Sequence, residues 1–265
     1  MSFLRHWLIA LQFFTRIPVT GRLAAWVGYS PAMLRASAAH FPAMGWVVGG
    51  FGAAVSAGLL LALPPGPYAP LVAAALSTVA TVLLTGALHE DGLADVADAL
   101  GGSADRDRAL EIMKDSRVGA FGALALVLAL LCKVALLAIL GAHGVQALCL
   151  ALLLGHVLSR FWPLLVIRLL PHVGDAAGSK SKPLADAISG ASLLTAFLWS
   201  IPALVLVGWA QGAMTLIAPV VLSLLAWWLL SRLFLRRLQG FTGDCLGTTQ
   251  QVSEIAVYLG LALSL

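Results

Sequence analysis

Long apolar runs alternate with polar connections along most of the chain. A helix that crosses a bilayer core needs about 20 apolar residues. Runs at or near this length predict six membrane-spanning helices, at 41–63, 71–88, 118–140, 145–167, 193–209 and 214–235. A final apolar stretch, 252–265, is short for a span, so it either crosses with tilt or lies in the interface. The pattern predicts an all-α, polytopic transmembrane helical bundle with about six or seven spans.

The N-terminal apolar run, Trp7 to Phe14, is too short to span a bilayer. It is interrupted by Gln12 and followed by Arg16, and no small-residue cleavage site follows, so it does not fit a secretory signal peptide. Trp7, Leu11 and Phe14 share one helical face, which predicts a helix lying in the membrane interface. We therefore expect one membrane domain, 1–265, whose residues 1–38 form an interfacial segment.

The composition supports a membrane protein, with 60% hydrophobic and only 11% charged residues. Fourteen of the sixteen Lys and Arg residues fall in long connections on one side of the predicted spans, and the short connections on the other side carry none. The positive-inside rule assigns the charged side to the cytoplasm. All twelve acidic residues are also predicted on that side, outside the spans. The net charge of +4 is explained by anionic lipid headgroups, and no nucleic-acid partner is expected.

An acidic segment follows the second predicted span. Asp91, Asp95 and Asp98 are spaced i, i+4 and i+7, so on a helix they share one face. Neighbouring carboxylates repel one another by roughly 3 kcal/mol at ~6 Å and an effective dielectric of ~20, and a cation relieves that repulsion. A solvated helix end would normally carry interleaved Lys or Arg residues, but none lies between Leu88 and Ser103. The segment therefore favours a Mg²⁺ site that shares its ligands with a phosphate.

Further candidates extend this site. Asp115 and Arg117 return to the membrane surface at the start of the third span, and a fourth carboxylate and an arginine there suit a metal–diphosphate site. Lys114 joins Arg117 among the substrate-binding candidates. Residues 89–118 are thus predicted to form a cytoplasmic catalytic loop.

Four polar residues elsewhere in the chain each have two alternative interpretations, one structural and one functional. Arg160 is either a phosphate ligand or a helix-pairing residue, and Lys133 is at least as well explained by a structural partner. Asp244, between two glycines, either caps a helix or adds a carboxylate to the site. His89 is either a general base or a solvated histidine.

An ordered set of motifs resembles the cobalamin synthase (adenosylcobinamide-GDP ribazoletransferase) family. The set runs through most of the chain, and the order makes it specific where single motifs are weak. It consists of Phe13-Phe14-Thr15-Arg16-Ile17-Pro18, Phe41-Pro42, His89-x-Asp91-Gly92-Leu93-Ala94-Asp95-x-x-Asp98, the segment 106–122, Ser159-Arg160 and Gly243-Asp244-x-Leu246-Gly247. The family often has glycine after the third aspartate, where this chain has Ala99.

The resemblance implies joining of GDP-activated adenosylcobinamide to α-ribazole or its 5′-phosphate, with release of GMP. It also implies Mg²⁺ as the ion and the bacterial inner membrane as the location, with the active site on the cytoplasmic face. In this scheme Asp91, Asp95 and Asp98, with Asp115 or Asp244, hold the metal. A homo-oligomer, or contact with other cobalamin-assembly enzymes, is left open.

Two other functions compete with this one. A CDP-alcohol phosphatidyltransferase would also place spaced aspartates over a nucleotide diphosphate. That class expects an Asp three residues before Asp91 and an Arg after Ala94, and this chain has neither. A membrane transporter would bury ionisable residues near the midplane, and only Lys133 and Arg160 favour one.

Overall fold

The computed structural model describes residues 2–174 and 188–265, so Lys180 and Lys182 of the basic connections lie outside the described residues. Within these ranges the regular structure is helical, and the prediction of an all-α bundle is confirmed. Thirteen α-helices are described: α1 Ser2–Phe14, α2 Gly21–Val27, α3 Pro31–Ser37, α4 Phe41–Ala62, α5 Ala69–Thr85, α6 Leu88–Gly102, α7 Arg106–Ile112, α8 Ala120–Ala142, α9 Val145–Ser159, α10 Trp162–Leu169, α11 Gly190–Gln211, α12 Ile217–Leu238 and α13 Gly243–Ala262.

Five continuous helical stretches in the described residues are long and apolar enough to cross a membrane. They are Pro31–Ala62, Ala120–Ala142, Val145–Leu169, Gly190–Gln211 and Ala213–Leu238. The bent pair α5 and α6 makes a sixth if it is counted as one span. The chain is therefore a multi-pass membrane protein, with five or six candidate spans in the described residues where six or seven were predicted.

A sharp elbow separates α5 from the acidic helix α6. Gly86 and Ala87 both have positive φ angles, 66° and 58°, which stop α5 at Thr85, and α6 then runs at 91° to α5. The second predicted span, 71–88, therefore ends three residues early. After this turn, α6 packs against α8 and α13.

The helix α13 begins earlier than the apolar pattern indicates and packs in the centre of the bundle. The final predicted stretch began at Val252, whereas α13 begins at Gly243 and contacts α6, α8, α9 and α12. Glu254 in this helix is 0% exposed. The helix α13 is not among the five candidate spans, but Glu254 is buried in the protein, and its carboxylate lies 2.6 Å from the Nζ of Lys133 in the span α8.

The predicted N-terminal helix is present as α1, which packs on α3 and α4. Leu11 and Phe14 are buried and Trp7 is half-buried, so the predicted face points toward the protein. After α1, the Arg16 backbone N–H donates to the Leu84 carbonyl at 2.7 Å, which ties the end of α1 to the end of α5. The interfacial location of α1 in a membrane stays a prediction.

Candidate active site

The three carboxylates of α6 share a face and differ in exposure. Asp91 is exposed, Asp95 is half-buried and Asp98 is buried. Asp95 has both Asp91 and Asp98 as electrostatic neighbours, as the spacing i, i+4 and i+7 requires. The helix therefore presents a row of acids that runs from solvent into the protein.

Asp98, at the buried end of that row, caps the start of α8. Its two carboxylate oxygens accept the backbone N–H groups of Gly119 at 2.7 Å and Gly122 at 2.8 Å. These are donors that the first turn of α8 would otherwise leave unpaired. A side chain at either glycine would collide with the Asp98 carboxylate, so the cap explains both glycines. Asp98 thus has a structural role that joins α6 to α8.

Asp95, in the middle of the row, lies in the strongest negative field of the site. Burial raises the pKa of Asp95 to about 7, with further contributions from Asp244, Asp91 and Asp98. Asp244 lies in the first turn of α13, so it adds a fourth carboxylate to the row from another helix. Three acids around one half-buried carboxyl create a place where a cation lowers the electrostatic energy.

Glycines allow α6 and α13 to pack closely enough for Asp244 to approach Asp95. A Cβ on Gly92 would lie 2.8 Å from the Asp244 carbonyl oxygen, and one on Gly247 would lie 3.2 Å from the His89 carbonyl oxygen. The Thr248 hydroxyl donates to the Gly92 carbonyl at 3.0 Å. Gly92 therefore serves the contact between the two helices.

A cavity of about 450 Å³ lies against this helix pair. Its volume falls within the ~300–1,000 Å³ typical of small-molecule sites. Aromatic and charged side chains both contribute to its walls. The lining residues are Phe13, Phe14, Phe41, Leu88, His89, Asp91, Arg160, Pro163, Gly243, Asp244, Leu246, Gly247 and Gln250.

Arg160 brings a buried cation to the cavity at the end of α9. It is 2% exposed, and its Nη1 donates to the His156 carbonyl at 2.9 Å. Its Nε is buried with no hydrogen-bond partner among the described residues. A buried donor without a partner is unfavourable by about 1–3 kcal/mol. Because Arg160 also lines the cavity, its positive charge favours an anionic ligand there.

His89 lies where the aromatic and charged walls meet. It is 5% exposed, and its ring stacks parallel to Phe14, with centroids 5.6 Å apart. The interpretation of His89 as a solvated histidine is therefore wrong, because α1 covers it. Its role as a base stays a prediction.

A buried polar network lies behind the cavity and is centred on Glu254. The Glu254 carboxylate is 2.6 Å from the Lys133 Nζ and accepts the Tyr258 hydroxyl at 2.9 Å and the Gln250 amide at 2.5 Å. His156 Nδ1 lies 3.3 Å from it. Lys133 therefore has a structural partner, which is one of the two interpretations that the sequence left open. The network reaches the cavity through Gln250.

Asp115 and Arg117 form a surface pair after α7. Two Arg117 nitrogens donate to the Asp115 carboxylate, the shorter contact being 2.5 Å, and these bonds lower the pKa of Asp115 to about 2. The Arg117 side chain is 87% exposed. Lys114 is exposed and has interactions of its own. None of the three lines the cavity.

The carboxylates are not gathered into a complete metal cage. Across 2–174 and 188–265, no group of three or more His, Cys, Asp or Glu side chains has a geometry that would hold a metal ion. The donor set nevertheless fits a hard cation, because it consists of carboxylate oxygens beside a space large enough for a phosphate-bearing ligand. Mg²⁺ usually binds through one or two carboxylates, with waters and phosphate oxygens completing the shell.

Comparison with known proteins decides the family. Residues 6–262 match the family model for cobalamin-5-phosphate synthase. The chain belongs to the cobalamin-5-phosphate synthase family. It is 65% identical to the adenosylcobinamide-GDP ribazoletransferase of Albidiferax ferrireducens, over 100% of this chain and 99% of the relative. The enzymes of that name from Polaromonas naphthalenivorans and Leptothrix cholodnii are 65% and 48% identical, over 100% and 97% of this chain and 100% and 94% of each relative. No solved structure matches the chain.

The residues that suggested the cobalamin synthase family converge on one place in the fold. Phe13, Phe14 and Phe41 line the cavity from α1 and α4, and Asp91, Arg160 and Asp244 line it from three other helices. Motifs far apart in the sequence therefore build one site in this member of the cobalamin-5-phosphate synthase family.

Sequence reasoning missed two components of that site. The first is the aromatic wall, whose residues were noted in the resemblance and, for Phe14, on an interfacial helix face, but not as part of a binding site. The second is Gln250 and Glu254: Glu254 lies within the stretch 252–265, taken as apolar, and Gln250 lies just before it. A single acid among apolar residues, together with Lys133 in another span, was the available signal for a buried pair.

Proposed function

We propose that this chain is an adenosylcobinamide-GDP ribazoletransferase, which joins GDP-activated adenosylcobinamide to α-ribazole or its 5′-phosphate and releases GMP. The observation that carries the proposal is one cavity lined by two carboxylates, Asp91 and Asp244, and by the buried cation Arg160. Relatives that bear this enzyme name are 65% identical over the full chain.

The reaction requires a site that binds a diphosphate and activates a hydroxyl. A ribose hydroxyl of the acceptor attacks the phosphorus that carries the cobinamide, a new P–O bond forms, and the bond to GMP breaks. Arg160, which lines the cavity, would bind a phosphate oxygen through its guanidinium and so orient the diphosphate. His89 or a carboxylate of α6 would accept the proton of the attacking hydroxyl.

Magnesium is part of the proposal. Asp91, Asp95 and Asp244 would hold it, and Asp98 would fix the helix through its cap on α8. Bound there, the ion supplies charge neutralisation for the diphosphate and the leaving GMP. We favour Asp244 over Asp115 as the additional carboxylate, because Asp244 is the largest charged influence on Asp95 and Asp115 is paired with Arg117. Arg117 and Lys114 do not line the cavity, and a contact of theirs with the substrate stays a prediction.

The proposed location is the bacterial inner membrane, with the site on the cytoplasmic face. The basic connections and the acidic helix lie on the same predicted side, and soluble nucleotide substrates would reach them there. Oriented proteoliposomes test this: GMP should be released only when the α6 side faces the added substrate.

The function is tested with purified protein in nanodiscs, by measuring GMP released from adenosylcobinamide-GDP. We expect release that requires both α-ribazole and Mg²⁺, that EDTA abolishes and that added Mg²⁺ restores. Asp91→Asn and Asp95→Asn should each lower the rate at least about a hundredfold, as expected when an electrostatic contribution of ~3 kcal/mol is lost. Asp107→Asn is the matched control, because its side chain is 83% exposed on α7.

The same assay separates the alternatives. Turnover of CDP-diacylglycerol in place of the GDP-corrinoid would support a phosphatidyltransferase. Near-normal turnover by both aspartate variants, with normal folding, would remove the carboxylates from the mechanism.

A further inference from the structure

The cavity has two chemically different walls, contributed by different helices. Phe13, Phe14 and Phe41 come from α1 and the start of α4, whereas the charged and amide groups come from α6, the end of α9 and α13. His89 lies at the boundary, because its ring stacks on Phe14. A ligand that fills this space therefore has one apolar, ring-shaped end and one polar, anion-bearing end.

The aromatic wall is a packed cluster with one accessible member. Phe14 contacts Phe41 edge to face, with centroids 4.4 Å apart, and Phe13 contacts Phe14 in the same way at 4.9 Å. Phe14 and Phe41 are buried in the core, whereas Phe13 is half-buried and lines the cavity. Phe13 is thus the ring that is free to contact a ligand.

The segment after Phe14 holds this wall against the carboxylate helix. The Thr15 hydroxyl donates to the Leu11 carbonyl at 2.7 Å and closes the end of α1. The Arg16 guanidinium lies over Gly86, where a Cβ would collide with it, at the elbow that starts α6. The aromatic wall is therefore fixed relative to His89 and Asp91.

Three parts of the proposed substrates compete for the aromatic wall. The corrinoid macrocycle is the largest of the three and carries polar amide side chains, which three phenylalanine rings would not match. Guanine carries hydrogen-bonding groups along its edges, and burial without partners for them is unfavourable. The dimethylbenzimidazole of α-ribazole is planar and almost wholly apolar, which matches three phenylalanine rings.

We propose that the aromatic wall binds the base of the acceptor nucleoside, with Phe13 as the residue that contacts it and sets base specificity. This inference rests on the proposed function and deepens it. With the base on the phenylalanines, the acceptor ribose lies toward His89 and the carboxylates. The corrinoid then stays outside the cavity, and only its diphosphate arm reaches Arg160.

The test is a steady-state comparison of Phe13→Ala and Phe13→Leu with the unaltered protein in nanodiscs. We expect Phe13→Ala to raise KM for α-ribazole about tenfold, the effect of losing an aromatic contact of roughly 1.4 kcal/mol. Phe13→Leu should have a smaller effect, and KM for adenosylcobinamide-GDP should not change. The preference for α-ribazole over the corresponding adenine nucleoside should narrow in Phe13→Ala. Phe51→Ala is the matched control, because Phe51 lies on α4 away from the cavity and is 43% exposed.

Binding measurements separate failure of this inference from failure of the proposed function. If the unaltered protein turns over and Phe13→Ala leaves KM for α-ribazole unchanged, or raises KM for the GDP-corrinoid in its place, the assignment of the aromatic wall is overturned. If the unaltered protein releases no GMP, the proposed function fails. Binding of α-ribazole to the aromatic wall can still be tested, by titrating the protein into α-ribazole and following the fluorescence of its base. Binding that weakens in Phe13→Leu supports the assignment, and absence of binding to the unaltered protein overturns it.

Discussion

The buried pair Lys133–Glu254 predicts a specific pattern of stability among single and double variants. Glu254 is 0% exposed and Lys133 is 2% exposed, and their charged atoms are 2.6 Å apart. Removal of one partner of a buried pair leaves the other charge without compensation, at about 3–5 kcal/mol. Replacement of both by uncharged groups removes that penalty, and such replacements are often close to neutral. We therefore expect Glu254→Gln and Lys133→Met each to destabilise the protein strongly, and the double variant to be more stable than either.

The assay is thermal unfolding of the purified protein in detergent, followed by circular dichroism. For a chain of this size a loss of about 4 kcal/mol lowers Tm by roughly 10 °C. Glu111→Gln is the control, since its pair with Arg108 has side chains 65% and 66% exposed and contributes about 0–1 kcal/mol. Strictly additive effects of Glu254→Gln and Lys133→Met would refute the reasoning, because they would show that the two groups act independently.

Three further predictions concern the acidic helix and its contacts. Burial and neighbouring acids raise the pKa of Asp95 to about 7 from 3.8. At a pH between these two values, the folded protein keeps a proton on Asp95 that the unfolded chain has lost. Stability without Mg²⁺ should therefore fall as pH rises from about 4 to 7, and urea titrations across this range should show a flatter profile for Asp95→Asn. Asp98→Ala should lower the free energy of unfolding by about 1–2 kcal/mol through loss of the α8 cap, measured by the same titration at fixed pH. Gly92→Ala should destabilise the contact with α13 and lower activity, because its Cβ would lie 2.8 Å from the Asp244 carbonyl oxygen. Gly50→Ala, where a Cβ meets nothing within 4 Å, should be tolerated, and equal effects of the two glycine variants in a thermal scan would contradict this account.

The architecture was predictable because lipid imposes a simple length rule on apolar helices. α4, α8 and α11 begin and end within a few residues of the predicted spans. The elbow after α5 was not predictable from apolarity, since it depends on a left-handed conformation at Ala87, a residue that rarely adopts one. The start of α13 was missed because its polar first turns interrupt the apolar pattern.

The candidate site was predictable where it depends on local spacing and obscure where it depends on tertiary contacts. The shared face of Asp91, Asp95 and Asp98 follows from helix periodicity alone. The cap of Asp98 on α8 joins residues more than twenty positions apart, and no local pattern marks it. The approach of Asp244 to Asp95 likewise requires the packing of α13 on α6, so the sequence left Asp115 and Asp244 as alternatives.

The most direct test of the central claim is the stoichiometry of GMP release by the purified protein in nanodiscs. The account predicts one GMP for each corrinoid joined to α-ribazole, with neither product formed when α-ribazole or Mg²⁺ is omitted. GMP release that proceeds equally without α-ribazole, or joined product without GMP, would contradict it.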